Sequence, residues 1–196
     1  MKRIITLILA LSVAISLFGQ NAGHKFEIGV GYAPFFLAIV EDGIRMPYEG
    51  DAYIEWRYDF GNHFDVGAKL DYKYCPVDLF YGHAVRYYGD QHYGALLALA
   101  DFKFLPGKKV NPFIGVGAGA GFILDVWKSQ KVERPEYHDA AKDMPLGAKD
   151  PTILFVAAPR IGVELFSHLR LSASASVDMS PADTRWPVCF NIGWTF

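Results

Sequence analysis

The chain has 196 residues, of which 20% are charged and 15% aromatic, with 19 glycines and a formal net charge of -2. That length supports one domain with a substantial buried surface and is short for two independent cores. The composition excludes a disordered tail, and the near-balanced charge excludes a basic stripe for phosphate contacts, so nucleic acid is not an expected partner.

In chain order, Lys2 and Arg3 form a charged start, Ile4 to Phe18 an apolar stretch, and Gly19 a small residue before a cut. This is the pattern of a secretory signal over residues 1–19, leaving a domain over 20–196. No Cys stands near the cut, so an acylated N-terminal anchor is not expected. Beyond it no apolar run approaches the ~18 residues of a membrane helix, so any further spanning must use strands.

From Phe26 onward the pattern has period two. In 64–74, Phe64, Val66, Ala68, Leu70, Tyr72 and Tyr74 share one face and Asp65, Gly67, Lys69, Asp71 and Lys73 the other. Segment 52–60 sets Ala52, Ile54, Trp56, Tyr58 and Phe60 against Tyr53, Glu55, Arg57 and Asp59, and 169–179 sets Leu169, Leu171, Ala173, Ala175, Val177 and Met179 against Arg170, Ser172, Ser174, Ser176 and Asp178. Weaker strands fall at 24–34, 92–104, 112–124, 152–166 and 187–196. Each is near the ~9 to 11 residues that a tilted membrane strand needs.

Connections alternate between short and long. The short ones are Gly61-Asn62-His63, the Pro106-Gly107 turn and the corner from Phe166 to His168; the long ones cover 35–50, 75–91, 125–151 and 180–186. Short turns at one end and long loops at the other are the arrangement of a membrane barrel. A three-residue turn at 61–63 pairs Phe60 with Phe64, Glu55 with Lys69 and Asp51 with Lys73. A like corner at 166–168 pairs Leu165 with Leu169 and Glu164 with Arg170. Opposite charges therefore meet on the polar face in both hairpins.

A soluble barrel would hide its apolar face in a core. Here aromatics cluster in two bands, with Phe26, Phe60, Phe64, Phe102, Phe104, Phe166 and Trp194 at the turn side and Tyr32, Tyr72, Tyr74, Phe122 and Trp127 at the loop side. Two separated bands fit two membrane interfaces, with Trp56 an exception between them. The chain ends Phe190-Asn191-Ile192-Gly193-Trp194-Thr195-Phe196. This ending resembles the C-terminal signature of bacterial outer-membrane barrels, and the whole domain resembles the small OmpA-like and OmpX-like class. The resemblance implies that Trp194 and Phe196 are read by the barrel-assembly machinery.

The expected architecture is therefore all-β: a closed antiparallel up-and-down transmembrane barrel of about eight strands, short-turned on the periplasmic side and long-looped outside, in the bacterial outer membrane. An interior of this size is filled by side chains. The polar network is expected from Glu27, Glu55, Arg57, Lys69, Asp71, Lys73, Arg160, Glu164, Arg170 and Asp178, joined by Asp59, Asp65, Asp101 and Lys103. Gly115, Gly117, Gly119 and Gly121 share one face of the fifth strand, where they would admit the arms of Arg and Lys.

His83, His92, Asp78 and Asp90 read as solvated loop residues, since no spacing forces nucleophile, base and orienting group together. His83, His92, His138 and Cys75 lack the close spacing of a zinc site, so no metal and no cofactor is expected. Cys75 and Cys189 lie on non-neighbouring strands and are expected as separate thiols. Phe80, Tyr81, Arg86, Tyr87 and Tyr88 make the second long loop the best candidate for surface contact. The sequence reading is a non-enzymatic envelope protein with a plugged interior that acts structurally or through loop binding to an extracellular ligand or membrane partner. A lipid-modifying barrel enzyme and an accessory subunit of a secretion or uptake complex are the alternatives.

Overall fold

The computed structural model describes residues 23–36, 44–45, 49–60, 62–81, 85–132, 146–148, 150–179, 184–185 and 187–196. The signal reading at 1–19 lies outside the described residues, as do His83 and His138. Eight long strands form the wall: β1 His24–Phe36, β2 Glu49–Phe60, β3 Phe64–Tyr81, β4 Val85–Lys103, β5 Val110–Val132, β6 Thr152–Leu165, β7 Leu169–Ala175 and β8 Pro187–Thr195. After a break at Ser176, Val177–Met179 carries β7 onward along β6.

Every strand pairs antiparallel with its sequence neighbours, and β8 pairs back onto β1 through Ile28 with Trp194 and Val30 with Ile192. The sheet is thus a closed eight-stranded ring. Closure is what hydrocarbon demands, because an open edge would leave unpaired N–H and C=O groups with no water to meet them. The last residue shares in it: the Phe196 amide donates to the Phe26 carbonyl at 2.8 Å.

The sides of the wall follow strand parity. Outward residues are large, apolar and open to the surroundings, with Leu96 at 62% and Ile153 at 77% exposure, while the inward Arg57 is at 1%. In water this polarity would be inverted, with carbon exposed and charge buried; in lipid it is the low-energy arrangement. Outward aromatics gather in a turn-side band with Phe60, Phe64, Phe104, Phe166, Trp194 and Phe196 and an outer band with Tyr32, Tyr72, Phe122, Phe155 and Phe190. No helix of the described residues is long and apolar enough to cross a membrane; the strands cross it.

Both hairpin registers argued from charge are present: Phe60 with Phe64, Glu55 with Lys69, Asp51 with Lys73, and Glu164 with Arg170. Phe166 and Ser167 turn the second corner at φ 52 and 62.

Two expectations need correction. The stretch 75–91 is a paired hairpin, from Cys75 with Gln91 to Tyr81 with Val85, and β5 continues to Val132. The strands β3, β4 and β5 therefore run well past the outer aromatic band. Aromatic and β-branched residues such as Val77, Tyr81, Val85 and Tyr87 continue a ladder already formed, because each added pair satisfies backbone groups outside lipid as well as inside it. Nor is the inner face polar all round. Tyr93, Ala95, Leu97 and Leu99 of β4 pack inside against Leu154, Val156 and Ala158 of β6. Both faces of these strands are apolar at mid-depth, so alternation alone did not separate them.

Candidate functional site: the enclosed network and the outer rim

Inward side chains of β1, β2, β3, β4, β6 and β7 converge on the barrel axis in two tiers. The tier nearer the turns is organised by three arginines. The Arg57 guanidinium reaches Glu27 at 2.6 Å, Glu55 at 3.1 Å, Glu164 at 3.2 Å and Asp65 at 3.4 Å. Arg160 spans from Glu55 to Asp101, 2.7 Å from each. Arg170 contacts Glu55 at 2.9 Å and also pairs with Asp101, while its guanidinium lies 3.7 Å from the centre of the Phe113 ring. Lys103 is 2.9 Å from both Asp59 and Asp65, and Lys25 stands 3.6 Å from Glu164 at the turn-side mouth, where an open cavity of about 380 Å³ remains.

The outer tier is smaller. Lys69 sits 3.1 Å from Asp71 and 3.9 Å from Asp51, over the Tyr53 ring at 4.3 Å. Lys73 contacts Glu49 at 3.3 Å and donates to Ser176 Oγ at 2.9 Å. The Tyr53 hydroxyl donates to Glu27 at 2.6 Å and so ties the tiers together. Between them remains a cavity of about 20 Å³ beside Ser172 and Ser174.

Nine of the ten proposed network residues have described side chains, and all nine lie on this inward face; the Asp178 side chain lies outside the described residues. Some partners are direct ladder neighbours, as Thr195 is to Glu27, but the arginine contacts of Glu55 are not. Glu55 faces Lys69 in register yet binds arginines from β2, β6 and β7. Inward side chains of a closed ring point toward one axis, so long arms meet across the lumen. Parity from Glu55 and Arg57 marks Tyr53 and Asp51 as inward, the alternation of the last strand does the same for Asn191 and Thr195, and Phe113 shares the parity of the glycine face of β5, though none of these five was named in the expected network.

The glycine face of β5 serves a different purpose from the one expected. Only Gly115 abuts the charged tier, against the Asp101 carboxylate. Gly117 and Gly121 make room for Leu97, Leu99 and Val156.

At the outer rim, Tyr87 is corrected: it is 1% exposed and packs edge-on against Trp127 at 6.1 Å, so it offers no surface contact. Trp127 likewise points into the barrel and leaves the outer band. Arg86 pairs with Asp78 at 3.2 Å, and Tyr88 stays exposed. The side chains of Phe80 and Tyr81 lie outside the described residues. His92 and Asp90, expected in a loop, stand on β4 and bond to Tyr72 and Tyr74. Beyond the outer band, burial raises the Asp90 carboxyl pKa, but hydrogen bonds from Lys128 and Tyr74 outweigh it and hold the group below its usual range. Cys75 and Cys189 are buried thiols that are not joined in a disulfide. Among the described residues no cluster of His, Cys, Asp and Glu is arranged to hold a metal.

At the turn-side interface three histidines share one habit that sequence reading left without a role. His24 stacks on Trp56 at 5.8 Å, His63 on Phe102 at 5.6 Å and His168 on Trp194 at 5.5 Å. Each extends an aromatic of the band with a polar ring edge, as an interface position favours.

A closed ring of this size, with an apolar wall and a charged lumen, has the architecture of small transmembrane β-barrels. Solved structures it is similar to include small outer-membrane barrels. Ail of Yersinia pestis, solved in complex with the heparin analogue sucrose octasulfate, superposes with a TM-score of 0.55 at 13% identity over 89% of this chain and 99% of that one. Neisserial surface protein A superposes with a TM-score of 0.51 at 9% identity, over 89% and 96%. No protein-family profile and no curated protein matches the sequence.

Proposed function

We propose that this chain is a non-enzymatic integral outer-membrane protein with a plugged interior, acting through envelope structure and through the surface it presents outside the membrane. The observation that carries the plug is the small residual void: about 20 Å³ holds roughly one water. A hydrated ion path would have to part arginines that join carboxylates on separate strands, each contact made where water is scarce. Planar-bilayer recording is the test. The expected result is no large, stable conductance, and a well-resolved open channel would overturn the plug.

The presented surface is the sheet formed by β3, β4 and β5 beyond the outer band, with Arg86 and Tyr88 in place of the loop once expected. Ail was solved with a heparin analogue, but here Arg86 and Lys128 are each already paired with a carboxylate, so a polyanion is not the ligand we favour. Trp194 and Phe196 are the assembly signal in this reading, set outward at the end of the closing strand. The alternative of lipid modification is tested by the mass profile of envelope lipids with and without expression; a new lipid species that depends on the protein would replace the non-enzymatic reading.

A further inference from the structure

Among the described residues the lipid-facing wall carries a wide, open apolar groove of about 690 Å³ over β3 to β6. It is lined by Leu70, Leu96, Ala120, Leu124 and Ile153 and by Phe122, whose ring covers Gly94 and leaves Ala120 as the short side chain of the lining. Toward the outer interface the groove reaches Leu124, which stands opposite His92 in the ladder, and beyond that point the wall turns polar. His92 and Asp90 follow Gly94 up the same face of β4. Tyr72 Oη lies 2.7 Å from His92 Nδ1, and the Tyr74 hydroxyl donates to Asp90 at 2.9 Å. Lys128 pairs with Asp90 from β5 while staying 60% exposed. His92 Nε2 makes no hydrogen bond among the described residues.

We propose that the groove and its polar end form a binding site for one zwitterionic phospholipid. An acyl chain lies along Leu96 and Phe122, the headgroup phosphate meets Lys128 and His92, and the headgroup ammonium meets Asp90. The choice of headgroup follows from charge. The polar end offers one cation and one anion already in contact, so a purely anionic headgroup would gain Lys128 and be repelled by Asp90. A phosphoethanolamine group matches both with charge-assisted hydrogen bonds. An uncharged head would leave the pair as it is and gain only the groove. This inference depends on the lipid-facing wall and is independent of whether the interior is plugged or the rim binds a partner.

Native mass spectrometry of the full chain in mixed detergent micelles tests it. The micelles would be titrated separately with dimyristoyl phosphatidylethanolamine, dimyristoyl phosphatidylglycerol, lipid A and dimyristoylglycerol. One phosphatidylethanolamine is expected per barrel, retained about tenfold more tightly than the other three, a difference of about 1.4 kcal/mol. Ala120→Trp, which fills the groove from the lipid side, should abolish that retention, and Leu96→Phe serves if the first variant does not fold. The double variant Asp90→Asn, Lys128→Gln should retain phosphatidylethanolamine and dimyristoylglycerol equally. Heat-dependent electrophoretic mobility checks that each variant is folded. Equal retention of all four lipids by the unaltered protein would reduce the groove to a bulk-lipid contact and overturn the site. Stronger retention of phosphatidylglycerol or lipid A would overturn the headgroup assignment, and full retention by a folded groove variant would overturn the acyl-chain position.

Discussion

Replacing Arg57 with Met tests whether the enclosed charges hold the barrel together. The guanidinium sits within 3.4 Å of four carboxylates and is 1% exposed, so its removal leaves anions in a lumen with little water to solvate them. None is wholly abandoned. Glu27 keeps the Tyr53 hydroxyl, Glu55 keeps Arg160 and Arg170, Asp65 keeps Lys103, and Glu164 keeps Lys25. The loss should therefore fall at the low end of the range for breaking a buried pair, about 3 kcal/mol. Urea titration in lipid vesicles, followed by tryptophan fluorescence and by mobility without boiling, would register a lower midpoint with unchanged slope. Adding Glu27→Gln should cost less than the sum of the two single changes, with a coupling of about 1 to 2 kcal/mol. If Arg57→Met unfolds within about 0.5 kcal/mol of the unaltered protein, as an ordinary surface change would, the lumen is wet and the reasoning fails.

Gly115→Leu should destabilise the barrel by about 2 kcal/mol or more, because the new side chain displaces Asp101 from Arg160 and Arg170; the same titration measures it. Ser167→Gly should stabilise by up to about 1 kcal/mol, since φ is 62 there and glycine adopts that conformation freely. Maleimide should label neither Cys75 nor Cys189 in the folded protein and should label both after denaturation without reductant; a single reactive thiol, or none, would contradict two buried thiols not joined in a disulfide. The Asp90 carboxyl is lowered in the folded state, so its contribution to stability is present above the unfolded carboxylate's titration and is lost as pH falls through the folded value. The stability difference between the unaltered protein and Asp90→Asn should accordingly vanish in acid; a difference that persists there would refute the pairing with Lys128.

Much of this barrel was written in the chain at short range. Alternation along 52–60 and 64–74 assigns each residue to one side of the wall, and the three-residue turn at 61–63 fixes the register that puts Phe60 beside Phe64. A one-residue slip would turn Arg57 into lipid, so local pattern and global register are the same constraint. The meeting of Arg160 with Glu55 is another matter, because those residues are separated by 105 positions and come together only when the ring closes. So too with Leu97 and Val156, which face inward on strands apolar on both sides, and with Tyr87, whose burial depends on Trp127 arriving from β5. Period-two physics acts between neighbours and is legible in sequence. Which distant arms share the axis, and where the outer wall is hollowed between strands, are set by the curvature of the closed ring.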